Sequence, residues 1–206
     1  MNILLYLLAY LIGSIPTAVW IGKRFFDTDV REYGSGNAGA TNTFRILGKK
    51  AGIPVLIIDI LKAFSVVNLS YLIDEGDNIP FRLSLGIIAV IGHILPIYVG
   101  FRGGKGIASL LGVIIAIHPL AAGLALLIFL ISFSIFHFVS LSSILAAISL
   151  PLWVIFVGEP DKVILIFSVA ISILVLISHQ KNIERLLRKE ESKIYLRKSK
   201  QKKKGT

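Results

Sequence analysis

Six long stretches with almost no charge dominate this chain: residues 2–22, 52–73, 80–98, 107–136, 143–157 and 162–179. Most approach the roughly 20 residues that a helix needs to cross hydrocarbon. Lipid offers no partner to a free backbone N–H or C=O, so such runs fold as helices. The expected class is an all-α integral membrane protein. Nothing left over in the 206 residues is large enough to fold alone as a soluble domain. The first run lacks a charged leader and an Ala-x-Ala site, so it reads as a retained helix. There are no cysteines, which excludes disulfides and thiolate metal sites.

Charge sets the direction of the spans through the positive-inside rule. Residues 23–51 carry six Lys/Arg, so the first helix runs inward and the N-terminus is outside. Asp74, Glu75 and Asp77 then lie outside, with Arg102 and Lys105 inside. The fourth run contains His118-Pro119 near its middle, where a proline breaks a helix. One crossing there would leave the tail outside, although residues 181–206 hold eleven Lys/Arg against three Glu. A reversal at His118-Pro119 places the tail inside and Glu159 with Asp161 outside. The expectation is seven transmembrane helices, N-terminus out and C-terminus cytoplasmic. Its cost is a short crossing at 107–117, about 16 Å at helical rise, which needs a thinned bilayer or protein shielding. Arg82 is the one basic residue on the wrong side, expected to snorkel. The expected organisation is one membrane-embedded unit over residues 1–187 and a disordered basic tail over 188–206. Beside a membrane span such a tail addresses anionic lipid headgroups, not nucleic acid.

The polar residues collect on the cytoplasmic side of this arrangement, in segments 34–45, 92–106, 136–143 and 179–185. Gly34-Ser35-Gly36-Asn37-Ala38-Gly39-Ala40-Thr41-Asn42 has no large side chain. Its glycines let backbone N–H groups approach a small anion, and Arg45 follows. Gly103-Gly104-Lys105-Gly106 opens the helix from Ile107 and offers N–H groups, a dipole end and an ammonium. It is not a Walker A loop, and a plain basic loop remains the alternative. His93 is a membrane-embedded imidazole between these loops. Ser140, Ser142 and Ser143 read first as helix N-caps. Asp59 and Lys62, at i,i+3, read as a self-neutralising pair. His118 and His137 read as interface residues without a role. No metal site or cofactor motif is present. The His-x-x-x-x-Asp pattern of soluble-donor glycerolipid acyltransferases fails at each His, which is followed at that spacing by Tyr98, Gly123, Ser142 or Glu184.

In their order along the chain these motifs resemble the bacterial acyl-phosphate:glycerol-3-phosphate acyltransferase family, PlsY. The resemblance runs from Gly13-Ser14-Ile15-Pro16 through the glycine segment with Arg45, Asp59 with Lys62, and His93 with Pro96. It continues through Gly103–Gly106, Ser140-Leu141-Ser142-Ser143, and His179 with Asn182. The family usually has Arg where Phe136-His137 stands and Lys where Arg102 stands, and the lysine-rich tail beyond Glu191 is extra. The resemblance implies acyl transfer from acyl phosphate to the 1-hydroxyl of sn-glycerol 3-phosphate, giving lysophosphatidic acid and phosphate. It implies that Ser35, Asn37, Thr41, Gly103, Gly104 and Lys105 hold the acyl-phosphate head. Arg45, Lys105, Ser142, Ser143, His179 and Asn182 would bind glycerol 3-phosphate. His93, Lys105 and Arg45 would be the catalytic set, with His93 supporting the phosphate loop or serving as base, and no acyl-enzyme on Ser35. It also implies contact with membrane lipids, a functional link to the enzyme that makes acyl phosphate, and no cofactor. The rival readings are a small-anion transporter and a non-catalytic lipid-binding protein.

Overall fold

The computed structural model describes residues 2–73, 75–157 and 161–194. Asp74, Glu159 and the tail from residue 195 onward lie outside the described residues. The described chain is helical, with α1 (Asn2–Gly13), α2 (Thr17–Phe26), α3 (Ala40–Leu47), α4 (Lys49–Asn68) and α5 (Ile79–Ile94) in the first half. The second half holds α6 (Ile107–Ile117), α7 (Pro119–Phe136), α8 (Val139–Phe156), α9 (Lys162–Ser178) and α10 (Gln180–Leu187). Three short 3-10 turns, Val30–Glu32, Leu69–Ile73 and Ile97–Val99, join them.

Local chemistry sets the breaks. The first run is not one helix: Pro16 stops it, and α1 and α2 meet at a 41° bend. The fourth run divides at His118-Pro119, where the His118 side chain accepts from the Ala121 amide and Pro119 takes the first helical position. Ile107, eleven residues before His118, and Phe129, eleven after, line one cavity, so the chain reverses there. Asn78 caps α5 by accepting from the Phe81 amide at 3.0 Å. Asp161 caps α9 by accepting from Val163 and Ile164.

Among the described residues, four segments are long and apolar enough to span a membrane unaided, namely Lys49–Ile73, Ile79–Val99, Pro119–Phe136 and Val139–Phe156. The bent pairs α1–α2 and α9–α10 raise the number to six if each counts as one span. The eleven-residue α6 is shorter and sits inside, packed on α4, α5 and α7. Its approach to α4 requires Gly112, because a Cβ there would stand 2.1 Å from the Ile60 carbonyl oxygen. Neighbouring helices therefore supply the shielding that so short an element needs. Val67, Leu110, Val113, Ala121, Ala147 and Ile171 belong to the buried cluster around it. Large apolar side chains such as Ile57, Leu61, Leu127, Leu130 and Ile166 face outward instead, as lipid contact allows and water does not.

Arg82 does not snorkel. It is 7% exposed and turns inward, donating to the Ala116 carbonyl at 2.8 Å and lying over the Tyr71 ring. It thus satisfies a terminal carbonyl of the short α6. The serines of α8 are not N-caps either. Phe138 holds that position without a side-chain bond, and the serines lie in the first turns of the helix.

Candidate active site

The glycine segment is held by Asn42, a fully buried residue of α3. Its Oδ1 accepts from the Ser35 amide at 3.0 Å, and its Nδ2 donates to the Val30 carbonyl at 2.7 Å and the Tyr33 carbonyl at 3.1 Å. Asn42 is thus the pin of the loop. The loop is also tied to the second glycine motif, with the Ala38 amide donating to the Gly103 carbonyl at 3.3 Å. A further tie comes from Arg31, which donates to the Val99 carbonyl at 2.8 Å while holding Asp29 bidentately. The Arg31 hydrogen bonds keep the Asp29 carboxyl well below the usual carboxylate range.

Gly103 and Gly104 do not face the cavity. Their amides donate to the Ile94 and His93 carbonyls, both at 3.2 Å, and so close the end of α5. These N–H groups are spent before any anion arrives. A Cβ would stand 2.0 Å from the His93 carbonyl oxygen at position 103 and 2.2 Å from His93 Nε2 at position 104. Close packing against His93, and not phosphate contact, explains this Gly-Gly. Lys105 does enter the cavity, as do Ile107 and Ala108 at the N-terminus of α6, where the helix dipole favours an anion.

One cavity of about 470 Å³ gathers the rest. Ser35, Asn37, Thr41 and Arg45 form one wall, and His93 and Lys105 a second. Ser143, His179 and Asn182 form the third. Segments far apart in sequence therefore meet at one site. Ser142 does not line it: its hydroxyl donates to the Phe138 carbonyl at 2.8 Å, which removes it from the predicted ligand set. His179 Nδ1 donates to the Val175 carbonyl at 2.9 Å, leaving Nε2 as its second polar atom. Lys105 Nζ donates to Asn182 Oδ1.

Burial, with Arg185 and Arg45 nearby and only partly offset by Glu191, lowers the Lys105 ammonium to about 8. In the free protein that charge is present below about pH 8 and is lost above it. Affinity for an anionic ligand should therefore fall as pH rises through this range. The expected kcat/KM profile has an alkaline limb near pH 8, which Lys105→Arg moves upward. A limb unmoved by Lys105→Arg would assign it to another group.

The segment after α10 also belongs to the site. Glu191 accepts from Ser140 Oγ at 2.9 Å, Asn182 Nδ2 at 2.8 Å and Arg185 Nε at 2.7 Å. Burial alone would raise this carboxyl, but the three donors hold it below its usual range. The Ile194 amide reaches the His137 carbonyl at 3.0 Å. Glu191, Ser192 and Ile194 line the cavity, so the start of the segment expected as a tail lies at the site. Arg185 and Glu191 are cavity residues that motif reading missed, while Asn42 and Asp59 stood in the motifs without a place in the site. Arg185 follows Asn182 by three on α10, a same-face spacing that could have found it. Glu191 carries no local signal, since it lies past a helix end.

Beneath the cavity lies a buried polar cluster. Lys62 and Asp59 pair at 2.8 Å with side chains 4% and 2% exposed, as the i,i+3 spacing predicts. Thr17 Oγ1 donates to Asp59 Oδ1 at 3.0 Å, and Lys62 Nζ donates to the Ile15 carbonyl at 2.9 Å. The break before Pro16 leaves that carbonyl available. A second, apolar cavity of about 140 Å³ adjoins the first and shares Ile107, Ala108, Phe129 and Ser143 with it. Ala122, Ala125, Ala147 and Leu150 continue it between α6, α7, α8 and α9.

A basic, hydrogen-bonding cavity that opens into an apolar groove suits a ligand with an anionic head and a hydrocarbon chain. Comparison with known proteins points the same way. A glycerol-3-phosphate acyltransferase of Listeria welshimeri is 47% identical over 192 residues, covering 93% of this chain and 96% of the relative. That of Staphylococcus aureus (strain Newman) is 40% identical over 200 residues, covering 94% and 98%. Among solved structures, the glycerol 3-phosphate form of PlsY (YgiH), an integral membrane glycerol 3-phosphate acyltransferase, matches with TM-score 0.85 at 38% identity. It covers 94% of this chain and 96% of that one. Its lysophosphatidic acid form matches with TM-score 0.82 at 37% identity, covering 95% and 96%. The family model for glycerol-3-phosphate acyltransferase spans residues 3–189, and with it the chain belongs to the glycerol-3-phosphate acyltransferase family, on the integral membrane PlsY fold.

Proposed function

We propose that this protein transfers a fatty acyl group from acyl phosphate to the 1-hydroxyl of sn-glycerol 3-phosphate, releasing lysophosphatidic acid and inorganic phosphate. The observation that carries the reading is the junction of two cavities. The polar one holds Arg45, Lys105 and Arg185, and the apolar one begins at Phe129 and Ser143. An acyl phosphate fits that junction with its mixed anhydride between cationic wall and apolar groove. Arg45, Lys105, Ser143, His179 and Asn182 are assigned to glycerol 3-phosphate, and Ser35, Asn37, Thr41 and Lys105 to the acyl-phosphate head. The related structures named for glycerol 3-phosphate and lysophosphatidic acid forms support the acceptor and the product.

Acyl phosphate is already activated, so orientation and charge neutralisation carry most of the work. The acceptor oxygen bonds to the acyl carbon. The bond from that carbon to the phosphate oxygen breaks, its electron pair leaves with phosphate, and phosphate takes the hydroxyl proton. No acyl-Ser35 forms. We assign the chain to the bacterial cytoplasmic membrane with seven crossings, α6 being the short one, and with the cavity toward the cytosol that supplies glycerol 3-phosphate. An enzyme that makes acyl phosphate supplies the donor.

The test is protein purified in detergent with acyl phosphate and glycerol 3-phosphate, followed by phosphate release and product mass. Release of one phosphate per lysophosphatidic acid, with no acylated protein by mass spectrometry, is expected. A trapped acyl-Ser35 would overturn direct transfer. Labelled glycerol 3-phosphate crossing proteoliposomes without turnover would overturn acyl transfer in favour of transport.

A further inference from the structure

The apolar groove has a depth that its helices fix. The lining runs on α6 from Ile107 to Ile114, on α7 from Phe129 back to Ala122, and on α8 from Ser143 to Leu150. Each stretch covers two helical turns, so the groove runs about 10 Å from the polar cavity into the bundle. α6 and α7 meet at the His118-Pro119 turn, just past Ile114 and Ala122. Ile114, Ala122, Leu150 and Ile171, the side chains at that end, are all buried. The groove is therefore blind. Its flank is not closed in the same way: Leu126, midway along the α7 stretch, lines the groove and is also exposed on the outside of the bundle. With C–C bonds of about 1.5 Å, an extended hydrocarbon advances about 1.3 Å per carbon. Roughly eight carbons then reach the blind end.

We propose that the groove seats only about the first eight carbons of the acyl chain, counted from the carbonyl, and that the remainder leaves past Leu126 into the bilayer. Ala122 and Ala125 set this limit, because a larger side chain at either position would fill the groove. The limit rests on the acyl-transfer reading and adds to it the length of chain that the site reads. Carbons inside the groove touch protein on several sides, and a chain too short to reach the blind end forfeits those contacts. Carbons past Leu126 exchange one hydrocarbon surrounding for another, so the protein does not count them. The donor class is an acyl phosphate of about eight carbons or more, with no upper bound set by the groove.

Placement of the chain is read on the full-length wild-type protein in detergent micelles, with lysophosphatidic acid that carries a diazirine at the sixth or the twelfth carbon. After photolysis and peptide mass spectrometry, the sixth carbon is expected on Ala122 or Leu150, and the twelfth on Leu126 or on detergent. A twelfth carbon attached to Leu150 or Ile171 would overturn the limit. Kinetics give a second reading. kcat/KM is measured for butyryl, octanoyl, dodecanoyl and hexadecanoyl phosphate, and Ala122→Leu is compared with wild type donor by donor, which cancels partition into detergent. Normalising to butyryl phosphate removes any difference in folded fraction. Ala122→Leu should lower the octanoyl-to-butyryl ratio about tenfold, with no further fall for the two longer donors. An unchanged ratio, or a loss that keeps growing from octanoyl to hexadecanoyl phosphate, would overturn the limit. Wild-type protein that releases no phosphate from any donor refutes acyl transfer itself, while the diazirine label still reports where a bound chain lies.

Discussion

Lys105→Ala is expected to lower kcat/KM for glycerol 3-phosphate by about 10²–10³-fold, the scale seen when one well-placed electrostatic donor is removed from an active site. The size follows from geometry. Lys105 is the ammonium that the loop before α6 delivers to the cavity, beside the helix N-terminus at Ile107. Its partner is the Asn182 carboxamide across the site, so its loss removes the donor to Asn182 Oδ1 while Nδ2 stays on Glu191. Arg45 and Arg185 remain, and they keep the cavity cationic without reaching the same point. Lys105→Arg should recover part of the loss, because charge returns but the fork of a guanidinium does not fit where a point charge stood. Phosphate release measures the effect, with helical content by circular dichroism as the folding control. A folded Lys105→Ala variant with wild-type turnover would remove Lys105 from the anion site.

Lys62→Met is expected to be the most damaging single change to stability. It leaves Asp59, whose side chain is 2% exposed, without its ammonium partner, with Thr17 Oγ1 at 3.0 Å and the His93 ring nitrogen at 3.5 Å as the side-chain groups beside it. Breaking a buried pair from one side costs about 3–5 kcal/mol. Removing both charges, as in Asp59→Asn with Lys62→Met, should cost less than the single change, since nothing charged is then stranded. Thermal unfolding in micelles of the four members of this cycle checks the order. A Lys62→Met protein that melts at the wild-type temperature would show that the pair does not sit in the low-dielectric interior.

The helical membrane class was legible because apolar runs report the solvent directly. The reversal at His118-Pro119 was legible for a different reason: a single crossing of residues 107–136 would strand eleven positive charges on the wrong side. The break at Pro16 was missed, since the uncharged run continues across it from residue 2 to residue 22. Arg82 was misplaced because sidedness rules treat a charge as something that seeks water. Here a helix-end carbonyl and an aromatic ring take that place. At the site, side chains with evident chemistry, such as Arg45, His93 and Lys105, converge as the motifs suggest. Gly103, Gly104 and Ser142 do not, because the composition of a motif does not reveal which of its donors the backbone has already used. Glu191 could not be foreseen from spacing, as its contacts depend on the chain folding back after α10.

That return of the chain has a consequence for the order in which the protein is made. Residues 191–194 leave the ribosome after α10, yet Glu191 joins Ser140 to Asn182 and Arg185, and Ile194 meets His137. Synthesis runs from the N-terminus, so the cavity lacks the Glu191 contacts until the strap emerges. A nascent chain can therefore insert its helices without yet exposing a finished pocket to lipid substrate. A product terminated just after Leu187 would carry the ten described α-helices and lack the Glu191 contacts at the site.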